Sequence, residues 1–285
     1  MLDRTDAEAI SRRVRRRILS TIHAAGVGHA GGSLSSVEVL VALYFDVLRF
    51  DATNSKWPQR DRFILSKGHA SSALYSVLVE RGLMQPDLLS SFGRIDSPLQ
   101  VHPDMHRMEW VEISTGSLGQ GLSVGVGTAL GARLTGSGSA TYVLLGDGEC
   151  QEGQVWEAAM AAAHYGLDGL VAIVDDNQAQ LTGRTSDVMA ICPLRDKWAA
   201  FGWNVVEADG NDAIAVRQAL LDAGTSRGRP SVVIAHTIKG KGVSFMEGGG
   251  HAWHGRVPTA HELDLALAEL AETARQEGGD SRECN

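Results

Sequence analysis

Two oxygen-bearing residues stand one strand–helix–strand unit apart in this 285-residue sequence. Asp147 lies in Gly146-Asp147-Gly148 and Asn177 closes Asp175-Asp176-Asn177, and each follows an apolar run, Tyr142 to Leu145 and Leu170 to Val174. Taken alone, a Gly-Asp-Gly triplet is an ordinary turn. The second donor one crossover later is what points to a metal. An aspartate, an asparagine and nearby backbone carbonyls carry too little charge for a tight calcium cage, and no Cys/His set with zinc spacing is near. Magnesium suits this set, because it takes one or two oxygens from protein and completes its shell with water and phosphate. The pattern therefore predicts Mg²⁺ held against a diphosphate.

The elements that must position these donors are legible. Continuous apolar runs ending in polar turns predict strands buried on both faces of a parallel sheet, and the stretch from Gly153 to Tyr165, with Val155, Ala158, Ala159 and Ala162 at helical spacing, predicts the connecting helix. A right-handed crossover brings Asp147 and Asn177 to one edge, the carboxyl end of the sheet, where open α/β sheets place ligands. Further strands are predicted at Arg62 to Leu65, Trp203 to Glu207 and Ser231 to Ala235. Helices are predicted at Thr5 to Ala24, Ser35 to Val47 capped by Ser33, Ala73 to Gly82, Ser117 to about Leu134, Pro193 to Phe201, Ala213 to Ala223 and Thr259 to Gln276. The fold class is α/β, with a mostly parallel central sheet and helices on both faces. Residues 1–261 read as the diphosphate- and Mg²⁺-binding domain, and 262–285 as a final helix with a frayed tail from Glu277.

Histidines in loops supply a second chemistry. His29 sits in Gly26-Val27-Gly28-His29-Ala30-Gly31-Gly32-Ser33, too rich in glycine to be read as regular structure. His69 lies in Ser66-Lys67-Gly68-His69, a turn entering a helix amino end that favours an anion. His102 precedes Pro103, which pushes it towards an extended conformation, and His251 opens His251-Ala252-Trp253-His254-Gly255. Gly121 and Gly125 fall on one helix face, and glycine there costs roughly 1 kcal/mol each relative to alanine. Close packing within the chain, a subunit contact or a cofactor contact would each account for them. Neither GxGxxG nor GxxxxGK[ST] occurs, so dinucleotide and P-loop readings lack their fingerprints.

Composition narrows the class. Net charge is −8, from 34 acidic and 26 basic side chains, which argues against a nucleic-acid binder. The one basic cluster, Arg12 to Arg17, spreads over several helix faces and reads as a solvated or subunit-facing surface. Cys150, Cys192 and Cys284 are odd in number and unspaced, which points to a reducing compartment. No apolar run approaches the roughly 18 residues of a membrane span, and the amino terminus does not begin as a signal peptide. A cytoplasmic protein without membrane contact is expected.

In order along the chain stand GHAGGS, LSKGHAS, LQVHPDM, STGSLGQG, GDGECQEG, DDNQAQLTG, HTIKGKG and HAWHG. The set resembles the amino-terminal, thiamine diphosphate-binding domain of transketolase, in the form split over two polypeptides. The resemblance implies that Asp147, Asn177 and the carbonyl of Ala179 hold Mg²⁺ against the cofactor's diphosphate. It implies that His69, Ser117, Leu118, Gly148, Glu149, Asn177 and His251 contact the cofactor, and that His29, His102 and His251 surround the reacting sugar. Glu152 and Glu157 match glutamates that link paired active sites through the subunit interface. The implied activity is a transketolase-type transfer of a two-carbon ketol unit from a ketose phosphate, or a modified or amino sugar phosphate, to an aldose. The implied partner is a second chain with the pyrimidine-binding and C-terminal domains, two copies of each chain assembling together. Two positions depart from the family pattern: Ala30 stands for proline, and Val101 for the glycine before the histidine, which puts the usual sugar specificity in question. Other thiamine diphosphate enzymes, 1-deoxyxylulose-5-phosphate synthase and 2-oxo acid decarboxylases, share the metal motif but fit SKGHAS and STGSLGQG less well. A non-catalytic cofactor-binding scaffold is the alternative from a different class.

Overall fold

Five apolar runs bounded by polar or glycine turns become five strands. The computed structural model describes residues 2–279. It places β1 at Arg62–Leu65, β2 at Thr141–Gly146, β3 at Leu170–Asp176, β4 at Asn204–Asp209 and β5 at Ser231–His236, all parallel, in the order β1-β2-β3-β5-β4. Parallel neighbours need crossovers, so helices must lie over the sheet. Tyr142 and Leu144 of β2 enter the core on one face with Val171 and Ile173 of β3, while Val143 and Leu145 enter the other with Ala172 and Val174. This two-sided burial is why the strands read as unbroken apolar runs rather than alternating ones. Helices Arg4–Ala25, Ser71–Glu80, Ala213–Ala223 and Ala260–Gly279 cover the first face. Gln120–Thr135, Gly153–His164 and Leu194–Ala200 cover the second. The α/β architecture is the expected one.

Register decides what meets at the carboxyl edge. Gly146 pairs with Asp175, which pairs in turn with Ala235, so the segments after β2, β3 and β5 emerge side by side. Ser66-Lys67 leaves β1 next to them, with both backbone N–H groups donating to the Leu144 carbonyl.

Three stretches differ from the sequence reading. The glycine-rich segment is helical over Ala30–Leu34, so Ser33 lies inside a helix instead of capping one. The next helix is shorter, Val37–Ala42, and ends in a π turn, Leu43–Val47. Together Ala30–Val47 are apolar enough, by length and composition, to cross a membrane, which corrects the reading that no such run exists. The segment is broken and 83% buried, so its hydrophobicity is spent on the core. The final helix places Ala266 and Leu270 in the same core as the rest, and Arg16 Nη1 donates to the Leu267 carbonyl at 3.0 Å, so packing continues across the division expected at 261. That helix reaches Gly279. The remainder of the expected frayed tail, 280–285, lies outside the described residues, as do Met1 and Cys284.

The glycine helix resolves into two faces. A Cβ on Gly121 would lie 2.8 Å from Ser66 Cα and closer still to its Oγ, and one on Gly125 would lie 2.5 Å from Val143 Cγ2. These two serve packing inside the chain, holding the helix tight against β1 and β2. Gly127 and Gly131 would meet nothing within 4 Å among the described residues.

Candidate active site

Asp147 continues from β2 and is 2% exposed. Its Oδ1 accepts from Gly148 N at 2.7 Å, while Oδ2 is buried with no hydrogen-bond partner among the described residues. Burial, then the nearby charge of Asp175, pushes its pKa up to about 7. A carboxyl group so poorly solvated takes up a proton unless a cation lies beside it. Asn177 follows β3; its Oδ1 accepts from Ala179 N at 3.1 Å and keeps a free lone-pair direction, and its Nδ2 donates to Asp175 Oδ2 at 3.0 Å. Between Asn177 and Ala179, Gln178 takes φ 59°, the left-handed region. Asn177 and Ala179 also share a cleft of about 910 Å³ with Lys239. Among the described residues no cluster of three His, Cys, Asp or Glu side chains could hold a metal unaided. The donor set fits a hard cation that brings phosphate oxygens with it.

Beside this edge four imidazoles converge. The ring centroid of His29 lies 5.3 Å from that of His69, 5.9 Å from His102 and 5.6 Å from His254, and His69 lies 5.0 Å from His254. Glycines make the room. A Cβ on Gly32 would come 3.1 Å from His69 Nε2, and one on Gly116, at φ 147°, would come 3.1 Å from the His102 ring. His254, from the HAWHG loop, takes the place expected for His251. The short helical turn Gly250–Trp253 buries Trp253 and brings His254 inward, leaving His251 exposed on the outer wall of the 910 Å³ cleft.

Electrostatics keep these rings neutral. Burial, the His102 ring and Lys239 lower His29 to about 4; burial, Lys239 and His29 lower His254 to about 3. His69 falls well below its ordinary value through burial and Lys67, and His102 falls through burial. Neutral imidazole has one donor and one acceptor nitrogen. His29 Nδ1 is buried with no hydrogen-bond partner among the described residues, a polar atom whose burial is offset only when a partner arrives.

Sequence reasoning missed two buried lysines and His254. Lys67 is 1% exposed and donates to the Gly32 carbonyl at 2.9 Å and to Asp175, so its charge is already committed within the chain. Lys239 Nζ donates to the Ala179 carbonyl at 2.8 Å and to His254 Nδ1 at 2.9 Å. Burial and the repulsion of Lys67 lower it to about 8. An ammonium has no acceptor, so the contact fixes His254 with its proton on Nε2, pointing away from the lysine. The HTIKGKG motif was the available signal, but nothing local in it distinguishes Lys239 from Lys241.

The other expected residues divide. Gly148 lies at the site, where a Cβ would meet Gln180 Cβ at 3.0 Å. Ser117 and Leu118 are exposed on the loop before the glycine helix. The Glu149 carboxylate is already engaged: it accepts from Ser66 Oγ, from Gly119 N at 2.9 Å and from Gly146 N at 3.0 Å, tying neighbouring segments together, which leaves its backbone for the expected cofactor contact. Glu152 and Glu157 are exposed on the side bearing the glycine helix, with Glu152 against Gly119.

Residues 6–273 match the family described as "Transketolase, thiamine diphosphate binding domain". The chain is 43% identical over 265 residues to one of the subunits of the apulose-4-phosphate transketolase of Phocaeicola vulgatus, covering 93% of this chain and 94% of that one. It is 44% identical over 257 residues to the 6-deoxy-6-sulfo-D-fructose transketolase subunit SqwG of a Clostridium species, covering 90% and 93%. The structure of Pichia stipitis transketolase in complex with sedoheptulose 7-phosphate superimposes with a TM-score of 0.84 at 28% identity, covering 99% of this chain and 45% of that one. The chain therefore belongs to the transketolase family, as its thiamine diphosphate-binding domain and part of a transketolase-type transferase.

Proposed function

We propose that this chain is the diphosphate-holding subunit of a two-chain transketolase, loaded with thiamine diphosphate and Mg²⁺ and acting in the cytoplasm on phosphorylated or otherwise modified sugars. The observation that carries the reading is the juxtaposition at one sheet edge of a buried carboxylate oxygen without a partner and four neutral imidazoles. Asp147, Asn177 Oδ1 and the Ala179 carbonyl would hold the metal, Lys239 releasing that carbonyl. When bound, thiamine diphosphate supplies the nucleophilic carbon and the electron sink. The chain's own residues do the rest. His29 presents its unpartnered Nδ1 to a sugar hydroxyl, His254 presents a donor at Nε2, and His102 stands exposed, where a proton can be exchanged with water. Neutral rings are suited to both directions of proton movement across the donor and acceptor halves of the transfer.

Relatives named for apulose 4-phosphate and for sulfofructose support a specialised sugar in place of an unmodified pentose phosphate. Val101 agrees with this. It packs partly buried next to His102 in the chain, with Val27 beside it across Gly93. A partner chain supplies the pyrimidine-binding side and the groups that grip the sugar phosphate, and two copies of each chain make the assembly. The test is ketol transfer by the purified chain with saturating thiamine diphosphate and Mg²⁺, alone and with its partner, on xylulose 5-phosphate, a branched ketose phosphate and pyruvate. Negligible transfer alone and turnover of a ketose phosphate with the partner are expected. Full turnover alone would overturn the two-chain reading, and preference for pyruvate would overturn ketol transfer.

A further inference from the structure

Asp175 is fully buried where β3 pairs with the end of β2, and the expected metal set does not include it. Its carboxylate accepts from Ser35 Oγ at 2.7 Å, from Lys67 Nζ, from Thr237 Oγ1 and from Asn177 Nδ2 at 3.0 Å. Each donor comes from a different part of the site: the helical turn after His29, the turn before His69, the strand end before Lys239, and the metal loop itself. An ionised carboxylate accepts only, so the Asn177 atom facing it must be the NH₂ group. On the other side a backbone N–H, that of Ala179, donates at 3.1 Å, so the atom facing it must be Oδ1. Two independent contacts agree on one amide orientation, which chemistry and not electron count decides.

We infer that Asp175 is a positioning residue that locks the Asn177 amide with its oxygen towards the metal, its own charge neutralised by Lys67 so that it does not compete for the ion. The inference rests on the metal assignment made above. Amides are ambiguous ligands, since rotation by half a turn replaces the oxygen by an NH₂ that repels a cation. Asp175 removes that ambiguity. Asp147 contributes charge, Asn177 contributes a fixed dipole, and the fixing comes from a residue behind the ligand, where the loss of a partner typically costs about 10–100-fold in metal affinity.

The test uses Mn²⁺ as the probe, titrated into the full chain with saturating thiamine diphosphate and read by electron paramagnetic resonance of free Mn²⁺, with a thermal melt of every variant. Asn177→Asp leaves the Lys67 and Asp175 pair intact. If Asn177 were an isolated ligand, the added charge would tighten Mn²⁺; with Asp175 at its side, the second carboxylate is repelled and affinity should fall by about tenfold or more. Asp175→Asn combined with Lys67→Met removes the buried charges together and frees the amide to rotate, with the same expected loss. Tighter or unchanged Mn²⁺ binding by Asn177→Asp overturns the inference whether or not the double variant folds, as does unchanged binding by a cooperatively melting double variant. Asp147→Asn serves as the control: wild-type affinity there would overturn the metal assignment itself, a result separable from failure of the Asp175 role.

Discussion

Replacing Asp147 by asparagine should stabilise the metal-free chain, and the size of the effect follows from its burial. The carboxyl pKa is 3.8 in an ordinary setting and is raised to about 7 in the fold. Because the folded value lies above the unfolded one, the neutral form is favoured by folding. The associated stability is full below about pH 4 and is lost as pH rises towards 7. A rise from 3.8 to about 7 corresponds to roughly 4 kcal/mol at most. Asparagine keeps the shape and the acceptor for Gly148 N but does not ionise, so it escapes this loss. With EDTA present, Asp147→Asn should melt close to wild type near pH 4, draw ahead through pH 5 and 6, and level off above pH 7 with a gain on the order of 5–10 °C. Adding Mg²⁺ and thiamine diphosphate should close most of the gap: the wild type gains about 2.7 kcal/mol at a hundredfold excess over Kd and about 4.1 kcal/mol at a thousandfold excess, and the variant gains little. Differential scanning fluorimetry over that pH series decides it. A variant no more stable than wild type at pH 8 without metal, or a gain that does not vary with pH, would refute the account of Asp147 as a carboxylate awaiting a cation.

His254→Ala should lower turnover by about 10²–10⁴-fold in the assembled enzyme while His251→Ala leaves most of it, because only His254 joins the imidazole cluster; steady-state kinetics of the two variants measures this. Lys239→Met should shift His254 towards a mixture of tautomers, seen as a change in its ¹⁵N ring shifts, and Lys239→Arg should restore part of the bias. Gly121→Ala should destabilise by about 1–3 kcal/mol, since its Cβ would collide with the Ser66 backbone, whereas Gly127→Ala should stabilise the isolated chain by up to about 1 kcal/mol. Chemical denaturation separates those two. Sedimentation of the Gly127 variant with the partner present then shows whether that open face is needed for assembly.

Most of the framework is legible in the sequence because burial on both sides leaves a strong signal: the strand at Arg62–Leu65 and the helix at Ala213–Ala223 lie where the apolar pattern puts them. Asp147 and Asn177 are legible as a pair because crossover handedness fixes which edge they share. The choice between His251 and His254 is not. It depends on a short turn that buries Trp253, a tertiary preference with no periodicity to reveal it. The part the Glu149 side chain plays is hidden for a related reason: the motif shows a carboxylate, but only packing shows that three donors have already claimed it. The helix at Ala30–Leu34 is obscured by its own glycines, which are there for proximity, with a Cβ on Gly31 falling 2.8 Å from the Trp253 carbonyl.

Gln178 separates the two residues proposed to give oxygens to the metal, and its side chain is exposed while its backbone is left-handed. What this position must supply is therefore a torsion angle more than a side-chain chemistry. Glycine, asparagine or aspartate could replace glutamine during drift, since they visit that region readily, whereas valine, isoleucine or proline would swing the Ala179 carbonyl off target without altering a single ligand atom. A lineage can lose its cofactor through such a change while every motif residue survives. Inventories of ligands alone would then count a dead enzyme as a living one.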